Sequence, residues 1–411
     1  MPVNLNLPAA VPVAGVNWAT LAAGIKADGT ADMAVALLCE SASCSAVFTK
    51  SAFSAAPVTI CRQHMQACDG QVRALLINSG NANAGTGEPG IVMAQGHCVA
   101  LARTLSIADA SVLPFSTGVI GQLLPDAVML AGIEKAGAML QSDTTNKLQA
   151  WESAACGIMT TDTQPKLTSQ QIDIAGQTLT ITGMAKGAGM IQPDMATMLS
   201  YVFTDARIEK NTLDDAMSEA VDVSFNAITV DSDTSTNDSC VLVATGKSGV
   251  ALGPGHSDWP RFMQALKRVF TDLAQAIIRD AEGATKFISV HVGSGKSVTE
   301  CKQVAYAIAN SPLVKTAMFA SDANVGRLLM AIGKAGVEDL DASKVSVSLG
   351  DVPAFEAGGI AKDYTEEKGA ALMQRDEIDV HVHLARGTAQ ATVYTSDLSH
   401  DYVSINADYR S

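Results

Sequence analysis

Thr197 lies near the centre of a segment that starts as a glycine-rich turn and ends as an apolar run, "KGAGMIQPDMATMLSYVFTDA" at positions 186–206. It stands between Ala196 and Met198, and a buried hydroxyl bonded to the backbone would be the ordinary use of a threonine there. A catalytic use is also open. If the peptide bond before Thr197 is cut, the new α-amine has a pKa of about 7.7 to 8.0 and lies beside its own hydroxyl, whose proton it can accept.

The residue before Thr197 suits such a cleavage. In an N-to-O acyl shift the hydroxyl attacks the preceding carbonyl, and the small side chain of Ala196 leaves that approach open. No histidine lies nearby in the sequence, so the threonine would supply its own base. Because a threonine after an alanine is common, this interpretation depends on the rest of the chain.

Other motifs do not predict a known chemistry. "HVGSGKS" ends like a phosphate-binding loop, but Val290 stands at its first glycine position, which favours a glycine turn after a strand. "DSDTSTNDSC" alternates like a calcium loop but lacks the glycine and the closing glutamate, which favours a hydrogen-bonded polar loop. His381 and His383 have no third ligand nearby, so we interpret them as solvent-facing strand residues and predict no metal site. Neither G-x-S-x-G nor H-E-x-x-H occurs.

Composition limits the classes of partner. The 411 residues are 47% hydrophobic and 17% charged, with a net charge of −14, which argues against a nucleic-acid or anionic-membrane surface. We therefore expect small molecules or other subunits as partners. The N-terminal segment lacks a basic region before an apolar run, and the eight cysteines form no C-x-x-C pair. These features predict a cytoplasmic protein with reduced, mostly buried thiols and no membrane span.

The elements that must position these residues alternate between strands and helices, which predicts an α/β or α+β fold. Helices are expected at "PDAVMLAGIEKAGAML" and "PRFMQALKRVFTDLAQAIIRDAEG". The segment "EIDVHVHLARGTAQATVYTSDLS" alternates on both sides of Arg386-Gly387 and predicts a hairpin. Further strands are expected at "QVRALLINSG", "QTLTITGM", "SCVLVATG", "KFISVHVGSG" and "KVSVSLG". A boundary near residue 285 would divide the chain into domains of residues 1–285 and 286–411.

The segment around Thr197, "KGAGMIQPDMATM", resembles the cleavage site of the ornithine acetyltransferase (glutamate N-acetyltransferase) family of arginine biosynthesis. The chain departs from the family at a few positions, including Ser232, where members often have glycine, and Asp194, where they often have asparagine. The other blocks that resemble the family follow in family order: "NSGNANAGTG", "STGVIG", "GIMTTDTQPK", "VDSDTSTNDS", "DAEGATKF", "SPLVKTAMFASDANVGR" and "INADYRS".

The resemblance implies an αββα sandwich of the N-terminal-nucleophile type, with a smaller C-terminal α+β domain. It implies cleavage between Ala196 and Thr197 into an α chain, residues 1–196, and a β chain, residues 197–411, which associate as two α and two β chains. Thr197 would take the acetyl group from N-acetylornithine and pass it to glutamate through an ester. No cofactor is implied. Acetyl-CoA is expected as a second acetyl donor, and a single-function enzyme without that activity stays open.

The resemblance also implies roles for individual residues. Thr117 and Gly118 in "STGVIG" would form the oxyanion hole, with a hydroxyl and a backbone N–H as donors. Lys186 suits a substrate carboxylate and Glu282 suits a cationic amine. Thr160 and Thr161 lie close to Thr163, so a small shift in the alignment with the family would assign the role of Thr163 to one of them. The residues implied to contact substrate are Thr163, Lys186, Thr197, Glu282, Asn406 and Ser411.

Two other classes of function stay open on the sequence. A self-processing aminopeptidase or amidase would use the same nucleophile but pass the acyl group to water. A non-catalytic scaffold would keep Thr197 as a packed hydroxyl in an uncut chain. A hydrolase would release ornithine without glutamate, whereas the acetyltransferase would require it. A scaffold would show the mass of one uncut chain, whereas a self-processing enzyme would show two shorter chains.

A C-terminal extension tests the implied place of Ser411 in the active site. We expect a C-terminal tag, or deletion of Ser411, to impair acetyl transfer from N-acetylornithine to glutamate, because the chain end would have to fold into the site. The same tag at the N-terminus is the control. Full activity in the C-terminally tagged and Ser411-deleted proteins would contradict this assignment.

Overall fold

The computed structural model describes residues 2–141, 147–174, 176–192 and 198–407. Three residues with predicted roles, Ala196, Thr197 and Ser411, lie outside the described residues. The remaining predicted site residues are all described, so the structure places Thr117, Gly118, Thr163, Lys186, Glu282 and Asn406.

Strands form at every segment where alternation or an apolar run predicted one. In chain order they are β1 (Val16–Leu21), β2 (Met33–Leu38), β3 (Ser43–Phe48), β4 (Ala74–Asn81), β5 (Val112–Val119), β6 (Lys166–Ile174), β7 (Gln177–Lys186), β8 (Leu199–Thr204), β9 (Ile228–Thr229), β10 (Ser239–Ala244), β11 (Phe287–Gly295), β12 (Ser346–Leu349), β13 (Val352–Glu356), β14 (Gly359–Ile360), β15 (Glu377–His383) and β16 (Ala389–Ser396).

Helices connect the strands, and both predicted helices are present as α3 and α6. In chain order the helices are α1 (Ala56–Ala67), α2 (Gly87–Leu105), α3 (Asp126–Leu140), α4 (Leu148–Gly157), α5 (Lys210–Asp222), α6 (Trp259–Arg279), α7 (Val298–Ala309), α8 (Pro312–Phe319), α9 (Val325–Gly333), α10 (Glu366–Met373) and α11 (His400–Ala407).

Two sheets pack face to face in the first part of the chain. The first has the strand order β1-β2-β4-β5 and the second β3-β10-β8-β7-β6. Their inner faces enclose a core in which Trp18, Trp151 and Phe203 meet edge to face, with ring centroids 5.9 Å apart for the two tryptophans and 5.2 Å for Trp151 and Phe203. Large aromatic surfaces buried in this way contribute strongly to stability.

Helices cover the two outer faces. Residues of α1, α2 and α3 share a core with the outer face of the first sheet, and residues of α5 and α6 share one with the outer face of the second. The apolar stripe of α6, which includes Phe262, Leu266 and Ile277, is fully buried, as its helical spacing predicts. The layers are therefore helix, sheet, sheet, helix, which is the predicted αββα sandwich.

The third sheet has the order β14-β13-β12-β15-β11-β16-β9, and the last third of the chain supplies most of its strands. Residues of α7 to α10 share a core with one of its faces. Its edge strand β9 comes from the earlier part of the chain and pairs parallel to β16, with Thr229 opposite Thr395. The division of the chain near residue 285 stays a prediction.

The hairpin predicted around Arg386-Gly387 is wrong in its pairing. Both strands exist, but β11 lies between them, parallel to β15 and antiparallel to β16. The connection passes over the end of β11, where the N–H groups of Arg386 and Gly387 donate to the Ser294 carbonyl at 2.7 and 2.9 Å. Alternation predicts strands and their faces, but it does not say which strands are neighbours.

The rejected motifs have structural explanations. The segment "HVGSGKS" was predicted to be a glycine turn after a strand. It is instead the bulged end of β11, and Ser297, which follows, caps α7 with its hydroxyl. His381 and His383 are exposed on β15, as predicted. Among the described residues, no group of three or more His, Cys, Asp or Glu side chains could hold a metal ion, and no helix is long and apolar enough to cross a membrane. Every cysteine is a free thiol and most are buried.

Candidate active site

A cavity of about 300 Å³ opens where the two sheets of the sandwich meet the C-terminal helix α11. It has the size of a small-molecule site. Its walls come from segments far apart in the sequence, and Met198, the residue joined to Thr197, is one of them. The predicted site residues that line it are Thr117, Gly118, Lys186, Glu282 and Asn406.

Thr117 and Gly118 lie near the end of β5, where its pairing with β4 becomes irregular. Gly118 has a φ of +130°, and a Cβ there would lie 2.3 Å from the carbonyl carbon of Gly80. Only glycine fits this combination of backbone angle and close approach. Behind this turn, the amide of Asn237 donates to the Ser116 carbonyl at 2.9 Å, which fixes the strand end.

Lys186 ends β7 and points its ammonium group at the predicted oxyanion hole. Its Nζ donates to Thr117 Oγ1 at 3.1 Å. Burial lowers the pKa of the Lys186 amine, while the carboxylates of Asp162 and Asp238 act in the opposite direction. The contact with Thr117 orients the hydroxyl as well as the lysine.

Glu282 and Asn406 form the opposite wall. Asn406 Nδ2, on α11, donates to Glu282 Oε2 at 2.7 Å. The glutamate packs so closely against the turn before Thr197 that a Cβ on Gly189 would lie 2.4 Å from Glu282 Oε2. Glu282 is a buried cavity residue, so its pairing differs from the exposed ion pairs that contribute little to stability.

The structure does not bring Thr163 into the cavity wall. Its N–H donates to Asp280 Oδ2 at 3.0 Å, and its hydroxyl donates to the other oxygen of Asp280. Thr160 and Thr161 line the cavity instead. The predicted substrate contact of Thr163 stays a prediction, and the two neighbouring threonines are the better-placed hydroxyls.

Sequence reasoning missed a buried charge network behind the cavity. Lys166 Nζ lies 2.6 Å from Asp162 Oδ1 and 2.7 Å from Asp280 Oδ2, and all three side chains are almost fully buried. Asp162 Oδ1 also accepts the Gly187 N–H at 2.7 Å. The three residues lie in the quoted blocks "TTDTQPK" and "DAEG", but nothing in their spacing predicts that they meet.

The network fixes the charges of its members. Burial alone would raise the pKa of Asp162, but the ammonium groups of Lys166 and Lys186 and the Gly187 N–H hold it well below its usual range. Burial alone would lower the pKa of Lys166, but Asp162 and Asp280 raise it. A depressed carboxylate pKa means that this stabilisation is present at neutral pH and is lost as the pH falls through the acidic range.

The polar loop after β9 is hydrogen-bonded, as predicted, and it joins two walls of the cavity. Asp231 accepts the N–H groups of Met190 and Ile191 at 2.7 and 2.9 Å, and it accepts the hydroxyl of Tyr402 on α11 at 3.1 Å. Ser232 follows with a φ of +67°, in the left-handed region that favours glycine. Its departure from the glycine of the resembling family therefore leaves a strained backbone position.

Comparisons with known proteins find relatives of this chain. The model of the ArgJ family matches residues 17–411. The arginine biosynthesis bifunctional protein ArgJ of Psychrobacter arcticus is 50% identical over 411 residues, 99% of each chain. The crystal structure of the ArgJ bifunctional protein of Bacillus halodurans is 40% identical and covers 51% of this chain and 99% of its own, with a TM-score of 0.50. The ornithine acetyltransferase of Mycobacterium tuberculosis, complexed with ornithine, is 33% identical and covers 46% of this chain and 96% of its own, with a TM-score of 0.39.

The observed sandwich has the predicted αββα layers, and the crystal structure from Bacillus halodurans is similar to it over 51% of this chain. The chain belongs to the ArgJ family. The predicted enzyme class is confirmed with it: the protein is an acetyltransferase of arginine biosynthesis.

Gly118→Ala tests whether the backbone turn beside Thr117 is part of the catalytic site. The added Cβ would collide with Gly80, so the Gly118 N–H must move. We expect kcat for acetyl transfer from N-acetylornithine to glutamate to fall by about a hundredfold, the usual effect of losing one oxyanion donor.

Gly121→Ala is the matched control. Gly121 also has a positive φ, +87°, but a Cβ there would have nothing within 4 Å. Its variant should lose a little stability and keep its kcat. Equal kcat values in the two variants, both folded by thermal unfolding, would contradict the role given to Gly118.

Proposed function

We propose that the chain cleaves itself between Ala196 and Thr197 and then transfers the acetyl group of N-acetylornithine to glutamate through an acetyl-Thr197 ester. One observation supports this proposal above all others. Thr117, Gly118, Lys186, Glu282 and Asn406 line a single cavity, and Met198, the residue joined to Thr197, lines it too.

The threonine acts as nucleophile and its own α-amine acts as base. In the first half-reaction the amine takes the Thr197 proton as Oγ attacks the acetyl carbonyl, and the proton then goes to the departing ornithine amine. In the second half-reaction the neutral α-amine of glutamate attacks the ester, the Thr197 amine takes a proton from it and returns that proton to Thr197 Oγ, and N-acetylglutamate leaves. A stable amide is thus exchanged through a more reactive ester in two balanced steps.

The oxyanion of each tetrahedral intermediate needs fixed donors. Thr117 Oγ1 accepts from Lys186, so its own proton is free to point into the cavity. The Gly118 N–H is the second proposed donor, and the constrained turn keeps it in place. Each donor of this kind lowers the barrier by roughly 3 to 4 kcal/mol.

Charge complementarity supports the substrate assignment. The Glu282 carboxylate, which Asn406 holds in place, would pair with the side-chain ammonium of ornithine. The Lys186 ammonium would pair with an α-carboxylate. Thr160 and Thr161 supply hydroxyls in the wall beside them. We also propose that Ser411 and Thr163 contact the substrate.

We further propose acetyl-CoA as a second acetyl donor, assembly as two α and two β chains, a cytoplasmic location, and no cofactor. The name of the Psychrobacter arcticus relative, a bifunctional protein, supports the second donor. The low share of charged residues, 17%, supports a sizeable subunit interface.

Ornithine release with and without glutamate tests the proposal against a hydrolase. We expect release from N-acetylornithine beyond one turnover to require glutamate, because the acetyl group leaves the enzyme only on an amine. Thr197→Ala should lose all activity, while Thr197→Ser, which keeps a hydroxyl, should retain part of it.

Multiple turnovers without glutamate would favour the aminopeptidase or amidase class and contradict the proposal. Full activity in Thr197→Ala would contradict the nucleophile. In the same assay, formation of N-acetylglutamate from acetyl-CoA and glutamate alone separates a bifunctional enzyme from a single-function one.

A further inference from the structure

Asp238 is a buried carboxyl in the cavity wall that the proposed reaction does not use. The residue is 2% exposed. Ser235 donates a hydrogen bond to the carboxyl, whereas Oδ2 is buried and has no hydrogen-bond partner within the part of the chain that the structure describes. An unpartnered oxygen at such depth is costly unless a ligand or another group supplies a donor.

The peptide group that joins Asp238 to Ser239 is held at both its carbonyl and its N–H. Its carbonyl accepts the Thr49 N–H at 2.9 Å, and the next residue, Ser239, donates its N–H to the Met198 carbonyl at 2.8 Å. In the parallel pairing of β10 with β8, Ser239 stands opposite Leu199. The chain that continues from Thr197 therefore runs directly beside the chain that continues from Asp238.

Cleavage before Thr197 would create a new hydrogen-bond donor, the α-amine of that residue. The new α-amine belongs to the residue joined to Met198, and consecutive Cα atoms are about 3.8 Å apart. As a general base, this amine must aim its lone pair at its own hydroxyl, so its N–H groups need an acceptor elsewhere. The other carboxylate of the cavity wall, Glu282, already holds Asn406.

We propose that Oδ2 of Asp238 accepts a hydrogen bond from the α-amine of Thr197 in the processed enzyme. Asp238 is then a positioning residue, because it orients the base instead of contacting the acetyl group. This inference rests on the proposed self-processing and goes beyond it, since it names the group that turns the amine toward the hydroxyl.

The surrounding charges set the direction of the pH effect. Burial raises the pKa of Asp238 well above its usual range, while Ser235 and Lys186 oppose that shift. The other titratable groups near Lys186 are the carboxylates of Asp162 and Glu282 and the ammonium group of Lys166. The ammonium form of the new amine, like Lys186, favours the charged carboxylate of Asp238, and that carboxylate in turn favours the ammonium form, so a neutral amide at position 238 lowers the pKa of the amine.

The test compares Asp238→Asn, Asp238→Ala and a matched control, Asp272→Asn. Asp272 is also a buried carboxyl whose Oδ2 has no hydrogen-bond partner among the described residues, but it lies on α6 outside the cavity wall. We measure chain masses, kcat and KM for acetyl transfer from N-acetylornithine to glutamate, and kcat/KM against pH.

We expect all three variants to cleave themselves, because the amine exists only after cleavage. Asp238→Ala should lower kcat by about ten- to a hundredfold with KM unchanged, the effect of misplacing a catalytic group. Asp238→Asn keeps an acceptor oxygen, so it should recover part of kcat, and the acidic limb of its kcat/KM profile should move about one unit to lower pH. Asp272→Asn should behave like the wild type.

A cleaved Asp238→Ala enzyme with wild-type kcat would overturn the proposal, and so would a loss confined to KM, which would place the substrate amine at Asp238 instead. Uncut Asp238 variants would also overturn it. If Asp238→Ala does not fold, an unshifted acidic limb in Asp238→Asn is decisive against it. An uncut, inactive wild-type chain would contradict the proposed function itself, which distinguishes that failure from a failure of the role of Asp238.

Discussion

The ammonium group of Lys166, buried between Asp162 and Asp280, holds the walls of the cavity in register. Asp280 stands two residues before Glu282, and Asp162 binds the N–H of Gly187, the residue after Lys186. Both charged groups proposed to bind substrate therefore lie within two residues of a group that the network holds. Removing one partner of a buried, hydrogen-bonded ion network costs about 3 to 5 kcal/mol, so the network is a strong constraint on the geometry of the site.

Two carboxylates around one ammonium leave an excess negative charge, and backbone donors offset it. Asp162 Oδ2 accepts the Thr160 N–H at 3.1 Å, and Asp280 Oδ2 accepts the Thr163 N–H at 3.0 Å. The segment from Thr160 to Lys166 thus wraps the network and at the same time presents Thr160 and Thr161 to the cavity. A network with its members satisfied is rigid, which suits a site that must orient a nucleophile and its base.

A second set of contacts connects the turn before the cleavage site to the C-terminal helix. Asp231 binds the turn through two backbone N–H groups and binds α11 through Tyr402. Asn406 on the same helix holds Glu282. These contacts join three segments that are distant in the sequence. The position of the C-terminal helix and the conformation of the turn therefore depend on each other.

Much of this architecture could be predicted from the sequence, but only where the signal is local. Apolar alternation located β4, β7, β10, β11 and β12, and helical spacing located α6, since both patterns report which face of an element is buried. The pairing of β15 and β16 was predicted wrongly, because the insertion of β11 between them depends on the whole sheet.

The site shows the same limit. The segments that carry Thr117, Lys186, Glu282 and Asn406 were found through resemblance to a family, not from spacing. Lys166 and Asp280 are 114 residues apart, so neither predicts the other. Asp238 has no local signal either, since a polar loop of the same composition could leave its carboxyl in solvent.

The most direct measurement is to incubate the enzyme with N-acetylornithine labelled in its acetyl group, without glutamate, and to map the label after an acid quench. The account predicts one acetyl group per β chain, bound as an ester to Thr197, whose α-amine is free, and its release as N-acetylglutamate when glutamate is added. Label on a different residue, or turnover by an uncut chain that never carries acetyl-Thr197, would contradict it.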